Sequence, residues 1–104
     1  MDISYKSNKL RKSLENEKSI KKKYGAEKLK RIVMRLEQLS NAETLQDIAA
    51  NKSAKLHSLE DEYKGCFAVS ITGSWRLIFK PLDGEDMEPS TVTAIRIEAV
   101  KDYH

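Results

Sequence analysis

Only two imidazoles are present in this chain: His57, within Lys55-Leu56-His57-Ser58-Leu59, and His104, at the close of Lys101-Asp102-Tyr103-His104. Imidazole both takes and gives a proton near neutral pH, so side chains this scarce invite a position-by-position reading. A strand followed at once by Asp102-Tyr103-His104 is able to fold that polar tail back over a sheet edge and offer three hydrogen-bonding groups to one place. Arg76, within Trp75-Arg76-Leu77-Ile78-Phe79-Lys80, adds a guanidinium. Two histidines, an arginine, a tyrosine and a carboxylate are the groups that RNA cleavage without a metal requires. A base removes the ribose 2′-hydroxyl proton and the freed oxygen attacks the adjacent phosphorus. An acid then protonates the departing 5′-oxygen while the guanidinium neutralises charge on the phosphate. Plainer roles fit the same residues: chain ends fray, Arg76 in a strand pairs with a carboxylate such as Glu98, and Tyr103 packs its ring at an edge.

The elements that must position these groups follow from hydrophobic spacing. Ile3-Ser4-Tyr5 alternates briefly and is read as a short first strand. A helical stretch with Leu10 and Leu14 follows, Asn8 serving as its cap, and Gly25 breaks it. Lys21-Lys22-Lys23 is read as a solvated loop. From Ala26, the residues Leu29, Ile32, Val33, Leu36 and Leu39 fall on one helical stripe, with Lys28, Lys30, Arg31 and Arg35 assigned to the opposite face. Ser40-Asn41-Ala42 ends this helix, and Leu45, Ile48 and Ala49 make one further short turn or helix before Asn51.

Beyond that the period changes from that of a helix to that of a strand. Cys66 to Thr72 reads as a half-buried strand, Gly73-Ser74 as a tight hairpin turn, and Trp75 to Lys80 as the return strand. Trp75, Leu77 and Phe79 then share one face, and Arg76, Ile78 and Lys80 the other. An acidic loop occupies residues 83 to 90. Val92 to Val100 is the third long strand, with Ile95, Ile97 and Ala99 on one face and Arg96 and Glu98 on the other. Such a meander brings His57 and His104 to one end of the sheet. The expected fold is α+β, the N-terminal helices packing on one face of a small antiparallel β-sheet, with residues 1–104 as a single domain.

Composition narrows the classes of function. With 39% hydrophobic and 34% charged residues the chain is globular in character. One cysteine, Cys66, leaves no internal disulfide and no metal-ligand pattern. It is read as a small buried residue, since nothing nearby makes it a thiolate. No apolar run approaches a membrane span and no signal-peptide core opens the chain, so a cytoplasmic protein is expected. The net charge of +3 hides an asymmetry: residues 1 to 35 hold 12 Lys or Arg against 4 Asp or Glu, and the remainder is acidic. That polarity favours a polyanion, typically nucleic acid, on one side.

The motifs Lys55 to Leu59, Tyr63 to Ile71, Gly73 to Lys80 and the closing Asp102-Tyr103-His104, with Thr44 to Ile48 upstream, resemble HigB-type plasmid-maintenance killer toxins of the RelE/ParE superfamily. The resemblance implies a ribosome-dependent mRNA endonuclease, the toxin half of a toxin–antitoxin pair, with no cofactor. Carried over by position, His57 and His104 become the acid–base pair. Asp102 and Tyr103 orient or assist, and Arg76 is the phosphate clamp. Lys28, Lys30, Arg31, Lys55 and Lys80 are the cations expected to meet RNA or the ribosome. The implied partners are a helix-turn-helix antitoxin, the ribosome and mRNA, with DNA reached only through the antitoxin. Where the family commonly has a basic, glycine-containing turn, this chain has Glu60-Asp61-Glu62. Two other readings compete: a ParE-like toxin that inhibits a topoisomerase by binding, and a non-catalytic basic RNA- or antitoxin-binding module.

Overall fold

The computed structural model describes residues 1–103, which form four α-helices and one five-stranded sheet. Strand β1 (Asp2–Tyr5) leads into helices α1 (Asn8–Leu14), α2 (Glu17–Tyr24), α3 (Ala26–Asn41) and α4 (Gln46–Ala49). Strands β2 (His57–Ser58), β3 (Phe67–Ser70), β4 (Trp75–Pro81) and β5 (Ala94–Asp102) follow. Strand order is β1-β5-β4-β3-β2. β3 to β5 form the expected antiparallel meander and β2, not read as a strand from the sequence, adds to it antiparallel, but β1 runs parallel to β5 with Ile3 opposite Ile95, so the sheet is mixed and not purely antiparallel. Alternation within three residues marks a strand and its buried side; it carries no information on the direction in which a distant strand pairs with it.

The helical segments correct several expectations. The Ser7 hydroxyl accepts from the Leu10 amide at 3.1 Å, so Ser7 caps α1 and Asn8 is its first residue. A second helix begins behind the Asn16 cap, whose side chain accepts from the Ser19 amide at 2.9 Å. This helix runs through Lys21-Lys22-Lys23, which is therefore helical and not a loop, burying Ile20 while the lysines stay exposed. Gly25 joins α2 to α3 at φ 93°, in the left-handed region that a residue without Cβ enters freely.

On α3, Ile32 and Leu39 are fully buried and Leu29, Val33 and Leu36 are half-buried, as the stripe requires. Arg35 was expected on the solvent face and is instead 1% exposed. Three residues after Ile32 and four before Leu39, it lies on the buried stripe by helical geometry. Its guanidinium donates to the Ser70 carbonyl at 2.7 Å, the Ser53 carbonyl at 2.8 Å and Gln38 Oε1 at 3.0 Å. One buried cation thus ties α3 to the end of β3 and to the turn Lys52–Ala54 that precedes β2.

The main core lies between the helices and one side of the sheet, where Leu14, Ile20, Ile32 and Leu39 meet Phe67, Val69, Leu77, Phe79, Ile95 and Ile97. On the far side, Leu59, Cys66, Ala68 and Ile78 form a smaller cluster with Tyr63, Ala99 and Tyr103, and among the described residues no residue of the four α-helices joins it. Burial, with the Glu98 carboxylate a lesser cause, pushes the Cys66 thiol up, which keeps it neutral and matches the buried role read for it. A bulge in β5 breaks the expected alternation: Ile78 faces Ala99 while Phe79 faces Ile97, leaving Glu98 extra. Ala99 consequently joins the far side instead of sharing a face with Ile95 and Ile97, and Val100 turns to the helix side. Glu98 pairs with Arg96 at 2.8 Å, not with Arg76.

The acidic loop before β5 is held by Asp83, whose carboxylate accepts from the Thr93 amide at 2.8 Å, the Ala94 amide at 3.2 Å and the Thr93 hydroxyl. Those hydrogen bonds lower its pKa.

Candidate functional site

Cross-strand register sorts the polar side chains of the far face into rows, because residues directly opposite in adjacent strands share a side of the sheet. His57 is aligned with Ala68, Ile78 and Ala99. One row toward the β3–β4 turn, Ser70, Arg76 and Lys101 are aligned; on the other side of the His57 row stand Lys80 and Arg96. Two pairs of like-charged cations therefore flank a strip of small or apolar residues with His57 at its edge.

His57 is exposed on β2, and its Nδ1 lies 2.9 Å from the Lys55 carbonyl oxygen. A carbonyl only accepts, so Nδ1 carries the hydrogen and Nε2 is left as the atom that takes or gives a proton. Lys55 supports this contact from a left-handed backbone at φ 51°, which closes the preceding turn. Arg76 lies two strands away and one row on, roughly 12 Å from His57 between Cα atoms by strand geometry. Its Nη1 donates to the Gly73 carbonyl at 2.7 Å and the Trp75 carbonyl at 3.0 Å, which holds the guanidinium beside the hairpin turn.

The tail was expected to fold back over the sheet edge. Instead its described part, Asp102 and Tyr103, continues the ladder: the Tyr103 amide donates to the Ser74 carbonyl at 2.9 Å. The Tyr103 ring meets Tyr63 edge-on, with centroids 6.0 Å apart, on the far side. Asp102 is the register partner of Trp75, whose ring packs with the helix-side core, and it accepts a hydrogen bond from the Ser74 hydroxyl. The far face thus gathers His57, Arg76 and Tyr103, whereas Asp102 belongs to the opposite pleat at the end of the sheet. His104 lies outside the described residues. Among the described residues, no three His, Cys, Asp or Glu side chains are gathered as metal ligands.

The expected RNA-facing cations divide between the two sides. Lys28 sits 4.5 Å above the Trp75 ring, and Lys30 and Arg31 line a hollow of about 240 Å³ with Glu27, Met34 and Thr72. These three approach the β3–β4 turn from the helix side, while Arg76 approaches it from the far side. Lys80 is exposed on the far face and Lys55 is exposed next to His57's strand. Lys101 was given no role in the sequence, yet the bulge sets it opposite Arg76. A strict alternation from Ile95 would have sent it to the helix side.

Among the described residues no helix is long and apolar enough to cross a membrane. No curated protein matches the sequence. Among solved structures, the YoeB–YefM complex from Staphylococcus aureus contains a chain of similar fold, with a TM-score of 0.52 at 18% identity over 100% of this chain and 97% of that one. A family model described as the RelE-like toxin HigB of type II toxin–antitoxin systems matches residues 3–89, which takes in β1 to β4 and leaves β5 and the tail beyond it. With that match running over most of its length, the chain belongs to the HigB-like toxins, a RelE-like family of type II toxin–antitoxin systems.

Proposed function

We propose that this toxin is a ribosome-dependent mRNA endonuclease that cuts by attack of the ribose 2′-hydroxyl. The observation that supports this best is the shared far face of the sheet, where a histidine with Nε2 available, an arginine and a tyrosine surround an apolar strip flanked by cations. Family membership supplies the biological setting.

In this reading His57 Nε2 is one proton-transfer group and His104 the other. The base takes the 2′-hydroxyl proton, the 2′-oxygen bonds to phosphorus, and the bond to the 5′-oxygen breaks as the acid protonates it. One fragment ends in a 2′,3′-cyclic phosphate and the other begins with a 5′-hydroxyl. Arg76 neutralises the developing charge, and its two carbonyl contacts preset its position at the turn. Tyr103, on the same face, orients the reacting groups, and Asp102, on the opposite pleat, assists only from the end of the strand by accepting from the Ser74 hydroxyl at the hairpin turn. Lys28, Lys30 and Arg31, with Lys55 and Lys80, draw the toxin to ribosomal and messenger RNA. The protein acts as one domain in the cytoplasm and is neutralised by a helix-turn-helix antitoxin, through which alone it reaches DNA.

Induced expression from a tight promoter tests the reading. Growth arrest with messages cut is the expected result. Arrest with intact messages, DNA damage and filamentation would instead indicate topoisomerase inhibition. Absence of both would leave a basic binding module.

A further inference from the structure

Each of the two β5 cations on the far face is met by a glutamate, and the two contacts differ in kind. Arg96 is held through Nε at 2.8 Å and Nη2 at 3.3 Å by the two oxygens of Glu98, whose side chain is only 10% exposed. Lys101 meets Glu62 through a single contact of 2.9 Å, with the side chains 41% and 64% exposed. A two-point, sheltered pair is difficult to exchange. An exposed one-point pair contributes little and gives way readily to another anion.

Lys101 also stands directly opposite Arg76. Like charges in that relation repel, with Cβ atoms about 4.5–5.5 Å apart. Arg76 is satisfied by neutral carbonyls, and the carboxylate of Glu62 reaches Lys101 from the turn Asp61–Tyr63. The Lys101 ammonium further lies 5.2 Å from the Tyr63 ring, which Tyr103 supports edge-on. Arg76, braced at the turn by two carbonyls, and Lys101, whose flexible ammonium rests beside the Tyr63 ring, match one phosphate diester better than they match each other.

We propose that Lys101 is a second phosphate-binding residue acting with Arg76, and that Glu62 is the resting occupant of its ammonium, displaced by a phosphate of single-stranded RNA. This rests on the endonuclease reading and extends it to one particular exchange of anions. The phosphate bridges both cations and so relieves their repulsion, which Glu62, contacting Lys101, does not do. Glu62 therefore opposes RNA at this site through Lys101 and not by general repulsion.

The test is binding of a 2′-O-methyl RNA oligomer, which offers phosphates but no attacking hydroxyl, measured by fluorescence anisotropy at two salt concentrations. Glu62→Gln should tighten binding several-fold. Lys101→Met should weaken it about tenfold or more and lower the slope of log affinity against log salt by roughly 0.7. Lys101→Arg should retain most of the affinity. In the Lys101→Met background, Glu62→Gln should change nothing. Equal tightening by Glu62→Gln with and without Lys101, or no tightening at all, would overturn the proposal. Melting temperatures should be unchanged in all four variants, because the pair is exposed. Since the oligomer cannot be cleaved, failure of the parental protein to cut messages would defeat the endonuclease reading without altering these affinities.

Discussion

On the helix side of the sheet, Phe67, Val69, Leu77, Phe79, Ile95 and Ile97 are closed over by Leu14, Ile32 and Leu39, whereas on the far side the same strands present Arg76, Lys80, Arg96 and Lys101 around Ala68, Ile78 and Ala99. The first arrangement stabilises the fold by removing apolar surface from water. The second sets like charges opposite one another, which costs stability. A sheet anchored from one side is able to carry such a face on the other, and the anchoring includes Arg35, which fixes the end of β3 and the turn leading to β2. If the proposed cleavage takes place on the far face, stability and chemistry belong to opposite sides of the same strands, and substitutions should separate them.

The largest separation is expected at His57. Replacing it with alanine should lower message cleavage about a hundredfold to ten-thousandfold and leave the melting temperature unchanged, since the side chain is exposed on a two-residue edge strand. A matching loss of stability would erase the distinction between the faces. On the helix side the pattern should invert: Ile32→Ala, at a site with no exposure, should cost about 2–5 kcal/mol of folding free energy. Chemical denaturation would read this directly, and cleavage by the fraction still folded should be near parental.

A smaller effect is expected from Arg76→Lys, which keeps the charge but loses the planar fork, at about tenfold in cleavage rate. Single-turnover assays with parental melting behaviour would check it, and an unchanged rate would make Arg76 a brace for the hairpin turn. The smallest effect on chemistry should come from reversing charge at Lys28, Lys30 and Arg31. Ribosome pelleting should weaken and become less sensitive to salt, while cleavage by toxin already bound proceeds at the parental rate. Parental pelleting would make that face solvated surface or an antitoxin site.

Much of this division was legible before any coordinates. The stripe from Leu29 to Leu39 announced the buried side of α3, and the parity of Trp75 to Lys80 set Arg76 away from Trp75 and Leu77. The misses have local causes. Arg35 was judged by its charge, although its spacing from Ile32 and Leu39 put it on the buried stripe, where two backbone carbonyls and Gln38 satisfy it. The β5 bulge has no glycine or proline to signal it, and one extra residue reversed the parity of everything beyond Glu98. That reversal concealed Lys101 and Ala99 and set Asp102 on the helix side and Tyr103 on the far side. The parallel pairing of β1 depends on contacts across nearly the whole chain, which three alternating residues do not encode.

The central claim, that the far face cleaves message on the ribosome by 2′-hydroxyl attack, is tested most directly by the chemistry of the ends it leaves. Purified protein is added to a synthetic message, free or on programmed bacterial ribosomes, and the fragment termini are identified by mass. The account predicts cleavage only with ribosomes, giving 2′,3′-cyclic phosphate and 5′-hydroxyl ends, and none of these products from His57→Ala. Intact message on ribosomes, equal cutting of free RNA, or fragments carrying 3′-hydroxyl and 5′-phosphate ends would contradict it.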